Sequence, residues 1–268
     1  MAVSSADIAL LTKVVGKFEN GGGDPYIGVT GDFDGQGISC GVLQWNIGQG
    51  SLQPMVKALG QPKVTALMPG FGAQMWTAVN ASLSQGLAIV RSWQVGSKLK
   101  AAPAAELRAL MGDAAMRKLQ DDRIQVVAEQ ADHLAAAWAT ARGASARTQQ
   151  ELVWFFDVVT QNGGMKGLTF ADVKAFKTSA GPGKADDLIC DWLASVSSAF
   201  WGYKDSHVDA TRWRNTLTDG PLDLLVLGYL RSQKSTLKAR ADVLNRKGTL
   251  AARKGKVHGE EFDFTGIF

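Results

Sequence analysis

Three carboxylates near the start of the chain have the types and spacing that acid–base chemistry at a glycosidic bond requires. Glu19 is followed 13 and 15 residues later by Asp32 and Asp34, which sit in the glycine-rich stretch Gly31 to Gly37. Cleaving such a bond takes two carboxyl groups opposed across a cleft, one protonated to donate to the leaving oxygen and one ionised to serve as base or nucleophile. A hairpin that doubles back over the end of a helix opposes groups in that way. Phe18 and Trp45 would supply apolar surroundings that keep Glu19 protonated, and Gly35 and Gly37 would let a sugar approach the backbone closely. The run Asp32-x-Asp34-x-Gln36 also copies the start of a calcium-binding loop, but position 12 counted from Asp32 is Leu43, which is no calcium ligand. Spacing alone therefore also fits an ordinary acidic turn beside a solvated helix end.

The elements around these residues are legible in outline. Ser4-Ser5 precedes apolar positions Ile8, Leu11, Val14, Val15 and Phe18, recurring at three and four residues, which predicts an amphipathic helix ending near Glu19. Asn20-Gly21-Gly22-Gly23 ends it. The β-prone runs Tyr26 to Thr30 and Gly41 to Trp45 flank the acidic stretch and predict an irregular hairpin or ribbon. Helical patterns then follow at about 51–59, 71–91, 103–111, 113–142, 147–161, 169–176, 184–200, 208–216, 221–232 and 236–246, broken by Gly and Pro. The basic stretch Arg246 to Lys256 is expected to loop over the surface. The fold class expected is mainly α, two-lobed, with a small β ribbon near the N-terminus: one domain over 1–268, its cleft between the 19–50 segment and the helical remainder.

Composition narrows the class of protein. Of 268 residues 46% are hydrophobic and 20% charged, which suits a packed core and excludes a disordered chain. Two cysteines, Cys40 and Cys190, cannot form a disulfide framework or a structural metal cluster, and free buried thiols are expected. His133, His207 and His258 lack metal-ligand spacing, so no metal or other cofactor is expected. Gly181-Pro-Gly-Lys184 lacks the spacing of a phosphate loop and reads as a turn. Most tryptophans fall on helical patterns and belong in a core, while Trp45 beside the ribbon is a candidate for stacking on a sugar. The first residues lack a basic region followed by an apolar run, so no Sec signal is expected, and no apolar run approaches the roughly 20 residues of a membrane span, so no membrane insertion is expected.

The residues Phe18-Glu19-Asn20, the stretch Gly31 to Gly37, and Ile38-Ser39-Cys40-Gly41-Val42-Leu43-Gln44-Trp45-Asn46-Ile47-Gly48-Gln49-Gly50 resemble the catalytic segment of glycoside hydrolase family 46, chitosanases of the lysozyme-like superfamily. That family reads Glu-Asn, a spacer, Gly-Asp-Gly-Arg-Gly-Tyr-Thr-x-Gly and a Gly-Thr-Gly-Asp turn. The resemblance implies Glu19 as general acid, Asp34 as the base that activates water, and Ser39 in place of the Thr that positions that water, with Asp32 the alternative carboxylate. It makes Thr30, Gln36, Gln44, Trp45 and Asn46 the sugar-binding side of the site. Glu151-Leu-Val-Trp-Phe-Phe-Asp157-Val-Val-Thr-Gln-Asn162-Gly163 is similar to the family's buried helix. Arg231 and Arg240-Ala-Asp242-Val-Leu-Asn-Arg246 are similar to the arginines that pair with that helix's Asp. Asp157 is thus expected to be buried and paired with Arg231 or Arg240, behind the catalytic acid. An inverting reaction is implied, with carboxyl groups roughly 6.5–9.5 Å apart.

The chain departs from the family at Gln36 (Arg), Ile38-Ser39 (Tyr-Thr) and Ser51 (the acidic end of the turn), while Gly41-Val42-Leu43-Gln44 looks like the Gly-Leu-Met-Gln segment of goose-type lysozymes and lytic transglycosylases. Charge favours the same direction. Chitosan is a polycation, whereas peptidoglycan carries peptide carboxylates; a chain of net charge +4 suits the anionic polymer. The expected function is a muramidase-like hydrolase of β-1,4 bonds in peptidoglycan, with chitosan as the alternative substrate. It would be made in the cytoplasm and delivered to the periplasm or cell wall without Sec, as a phage endolysin or an antibacterial effector of the type VI kind, the latter with a cognate immunity protein. The rival of another class is a lysozyme-like module that binds cell wall or protein without catalysis. Nucleic-acid binding is not expected, because the basic residues are dispersed.

Overall fold

The computed structural model describes residues 3–20 and 23–268, apart from the side chains of Glu19 and Asn20. The fold is mainly α, with 64% of residues in helices and 7% in short antiparallel strands. The chain divides into two compact units, Thr12–Val126 and a second made of Met1–Leu11 with Val127–Phe268. The 19–50 segment falls within the unit Thr12–Val126, which it shares with about 80 further residues. No helix of the described residues is long and apolar enough to cross a membrane.

Helix α1 (Ser5–Asn20) begins in the second unit and runs on into the unit Thr12–Val126, burying Leu11, Val14, Val15 and Phe18 as its periodicity requires. A 3-10 turn at Pro25–Ile27 leads into β1 (Val29–Thr30), β2 (Ser39–Cys40) and β3 (Trp45–Asn46), a three-stranded antiparallel sheet with β2 in the centre. Its register pairs Thr30 with Ser39 and Ser39 with Asn46. Helices α2 (Gln53–Leu59), α3 (Gln61–Leu67), α4 (Gly72–Asn80) and α5 (Leu83–Ser92) follow, then the hairpin β4 (Gln94–Val95) and β5 (Lys98–Leu99), α6 (Ala101–Gly112) and α7 (Ala114–Ala141), which runs on into the second unit. Ile38, Ile47, Met55, Val64, Met75 and Leu107 are among the side chains of the unit's core.

Two departures from expectation here have local causes. The pattern at 71–91 is two helices, because Ser82 accepts the Gln85 N–H and the Gln85 side chain returns a bond to the Ser82 backbone, a capping box set inside an apolar periodicity. Helix α3 was not expected; Gly60, at φ 80°, ends α2, and Pro62 lies in the first turn of α3, where its fixed φ suits a helix start.

In the second unit, α8 (Gln149–Asn162) is buried along most of its length, with Leu152, Trp154, Phe155, Phe156 and Val158 at most 2% exposed. It is capped by Thr148 and Glu151 and stopped by Gly163 in the left-handed region. Helices α9 (Phe170–Ala180), α10 (Ala185–Ser195), α11 (Tyr203–Trp213), α12 (Asp219–Gln233) and α13 (Arg240–Ala252) precede a closing hairpin, β6 (Lys254–Val257) with β7 (Glu260–Asp263). The expected surface loop from Arg246 to Lys256 is instead the buried end of α13 and strand β6: Arg246 is 6% and Lys247 1% exposed. Charge misled there because the counter-ion, Asp157, lies about 90 residues away on α8.

Candidate active site

The eight residues between β1 and β2, Gly31 to Ile38, form a ribbon held from outside the segment. The Gln94 side chain spans it, accepting the Asp32 N–H at 2.8 Å while its own amide donates to the Gly37 carbonyl at 2.7 Å and to Val90 O at 3.1 Å. Arg91 adds a second tie, donating to Asp32 Oδ2 at 2.6 Å and to the Gly35 carbonyl at 3.1 Å. Gly31 has to be glycine here: a Cβ on it would fall 2.1 Å from the Ser97 carbonyl oxygen at the tip of the β4–β5 hairpin. Arg91, Gln94 and Ser97 were not found from sequence. They stand about 60 residues downstream, at the end of a helix, in a two-residue strand and in the turn that follows it, where nothing local marks a partner for the ribbon.

These ties separate the two aspartates. Asp32 is tied: besides Arg91 its carboxylate accepts the Gly37 N–H at 2.9 Å. Burial works to raise its pKa, but the Gly37 N–H and the Arg91 guanidinium outweigh it and hold the carboxyl below the usual range. Asp34 is exposed, pairs with no cation among the described residues, and accepts only the Gln36 N–H, at 3.1 Å, in an Asx turn. Phe33, between them, is 70% exposed. Glu19 occupies the last turn of α1, and its carboxylate lies outside the described side chains.

The remaining site candidates divide into open and closed. Thr30 is exposed and donates to Gln44 Oε1 at 3.3 Å; Gln44 is part-buried and holds a left-handed φ of 54°, its amide bonded to the Gly41 carbonyl at 3.1 Å. That conformation is uncommon for a residue with a Cβ. Gln36 is part-buried, and its carbonyl accepts the Gly48 N–H at 3.0 Å. Ser39 is 2% exposed in the central strand. Trp45, at 8%, packs its ring against Gly41 and presents no open face to a sugar, contrary to expectation. Asn46, at 4%, organises the following turn, accepting the Gln49 N–H at 2.8 Å and donating its own N–H to Ser51 Oγ at 2.9 Å. Ser51 thus braces the turn where the family has an acid.

In the second unit Asp157 is buried, as expected, but its cations are others. Arg246 Nε donates to Oδ1 at 2.7 Å and Lys247 Nζ to Oδ2. Burial raises its pKa, and the charges of Arg246 and Lys247 more than reverse this, so the carboxylate stays ionised. Arg231 instead donates to the carbonyls of Gly164 and Asn162, at 2.8 and 2.6 Å, neutralising the C-terminal end of α8. Arg240 reaches Gln233 Oε1 at 3.1 Å. Asp242, from the same segment, pairs with His258 at 3.0 Å. The cysteines are buried free thiols, and no group of side chains among the described residues could hold a metal ion.

The class this fold and site define is a mainly α protein that displays on an anchored ribbon a carboxylate, Asp34, that pairs with no cation among the described residues. Comparison of the chain with protein families, with curated proteins and with solved structures finds no match.

Proposed function

We propose that the chain is a glycoside hydrolase of bacterial cell-wall peptidoglycan, working by two-carboxylate acid–base catalysis with Glu19 as acid and Asp34 as base. The observation that carries this is the division of labour on the ribbon. Asp32 is used up by Arg91 and the Gly37 N–H, while Asp34, two residues on, is open to solvent and pairs with no cation among the described residues. A general base must be ionised and within reach of water, and an anchored ribbon keeps it in place without ordering it anew in each turnover.

In the reaction, Glu19 gives its proton to the glycosidic oxygen as the bond to the anomeric carbon breaks. Asp34 takes a proton from a water molecule whose oxygen attacks that carbon from the opposite face, so the product is a hydrolysed sugar of inverted configuration. Thr30 and Gln44, bonded to each other beside the ribbon, are the polar groups open to the sugar. Ser39, closed off in β2, supports the sheet and leaves the water to Asp34. The net charge of +4 favours the anionic polymer over chitosan, and a non-Sec delivery as effector or endolysin fits that substrate. Parallel digestion of purified peptidoglycan and of chitosan tests the reading: new reducing ends are expected from peptidoglycan, and release from chitosan alone would overturn the choice of substrate.

A further inference from the structure

Next to the ribbon, the unit Thr12–Val126 contains an open pocket of about 570 Å³, inside the roughly 300–1,000 Å³ typical of ligand sites. Ile47, Val79 and Leu83 give it aliphatic walls, the backbone of Gly48 to Gly50 forms one side, and no acidic side chain lines it. Leu83 is 52% exposed there, an apolar surface left uncovered. Two polar groups mark the pocket. Gln53 donates through Nε2 to the Ile47 carbonyl at 2.8 Å, which fixes the amide's orientation, and leaves Oε1 buried with no hydrogen-bond partner among the described residues. Lys57, in the last turn of α2, is exposed and forms no ion pair among the described residues. The pocket wall is tied to the ribbon, because the Gly48 N–H donates to the carbonyl of Gln36, two residues from Asp34.

A matching ligand carries small aliphatic groups, a hydrogen-bond donor for Gln53 and a negative charge for Lys57. A buried acceptor without a donor is costly, and an arriving N–H recovers that cost. Chitosan, polyhydroxylated and cationic, offers neither the methyl groups nor the carboxylate. We propose that this pocket is a subsite for the stem peptide that hangs from each glycan strand of peptidoglycan. Alanine methyls pack on Leu83 at the aliphatic wall, a peptide N–H donates to Gln53 Oε1, and a carboxylate faces Lys57. The inference rests on the reading of the chain as a peptidoglycan hydrolase, and supplies the contact by which it distinguishes that polymer.

The test has two arms. Titration calorimetry of the free tetrapeptide L-Ala-γ-D-Glu-diaminopimelate-D-Ala into the full chain is expected to show binding, about tenfold weaker in Lys57→Glu and weakened in Leu83→Ser. Both positions are exposed, so both variants are expected to melt like the parent. In the second arm, intact peptidoglycan is expected to be cleaved faster than the same glycan stripped of its peptides by an amidase. Absence of peptide binding, or equal affinity in both variants, overturns the subsite, and equal cleavage of stripped and intact glycan does so while leaving the hydrolase reading in place. Peptide binding with cleavage of neither glycan overturns the hydrolase reading and leaves the subsite standing.

Discussion

Asp34→Asn and Asp32→Asn differ by two positions and are expected to fail in different ways. Asp34 makes one weak local bond, so Asp34→Asn is expected to keep the parent's melting temperature while losing at least about a hundredfold in rate, the usual worth of a general base. Asp32→Asn removes the charge that Arg91 and Gly37 hold, and is expected to lower the melting temperature with only a partial loss of rate. A thermal melt and a rate assay on each variant check this, and the reverse pattern would make Asp32 the base. In the second unit, Asp157→Asn removes the buried counter-charge that Lys247 and Arg246 share, at a cost of about 3–5 kcal/mol read from denaturant unfolding. A loss of activity in that variant would therefore report the fold and not the chemistry.

At the scale of elements, the ribbon and the C-terminal hairpin are each clamped by side chains from another element. Gln94→Ala leaves the Asp32 N–H and the Gly37 carbonyl without their partner, so faster amide exchange at Asp32 and a loss of about 1–3 kcal/mol are expected. On α11, Asp209 accepts the Lys256 N–H and Asp205 the Gly259 N–H, pinning the hairpin β6–β7. Burial pushes the Asp209 carboxyl up to about 8. A carboxyl whose pKa is raised by folding holds its proton longer in the native state than in the unfolded one, so stability falls as pH rises from 3.8 to about 8. Melting temperatures across that window are expected to show the fall, and Asp209→Asn, which still accepts from Lys256, is expected to flatten it. Local signals made part of this architecture legible: the apolar stripe of α1 and the hydrophobic run of α8 each announce their element, whereas of the β-prone runs only Val29–Thr30 and Trp45 are strand, Pro25–Ile27 is a 3-10 turn, 41–44 is turn, and the central strand Ser39–Cys40 lies outside both runs. The clamps were not legible, because Gln94 for the ribbon and Asp157 for Lys247 meet their partners only after the chain has closed loops of about 60 and 90 residues. For the same reason Arg246 and Lys247 read as surface, when pairing with the distant Asp157 buries both.

At the scale of the whole molecule, the two units carry different duties. The unit Thr12–Val126 holds Glu19, the ribbon and the pocket, and the second unit holds the buried ion cluster around Asp157. On the proposed reading, the net charge of +4 and an apolar pocket tied to the ribbon through the Gly48–Gln36 backbone bond suit an anionic, peptide-bearing glycan. If the chain acts on the wall of another cell, targeting it to the periplasm is expected to lyse the host while cytoplasmic expression is tolerated. The central claim, hydrolysis driven by Glu19 and Asp34, is tested most directly by mass spectrometry of the products that the parent chain and Glu19→Gln release from purified sacculi. The account predicts water-added reducing fragments from the parent and none from Glu19→Gln at an unchanged melting temperature. An equal yield from both, or 1,6-anhydro products from the parent, would contradict it.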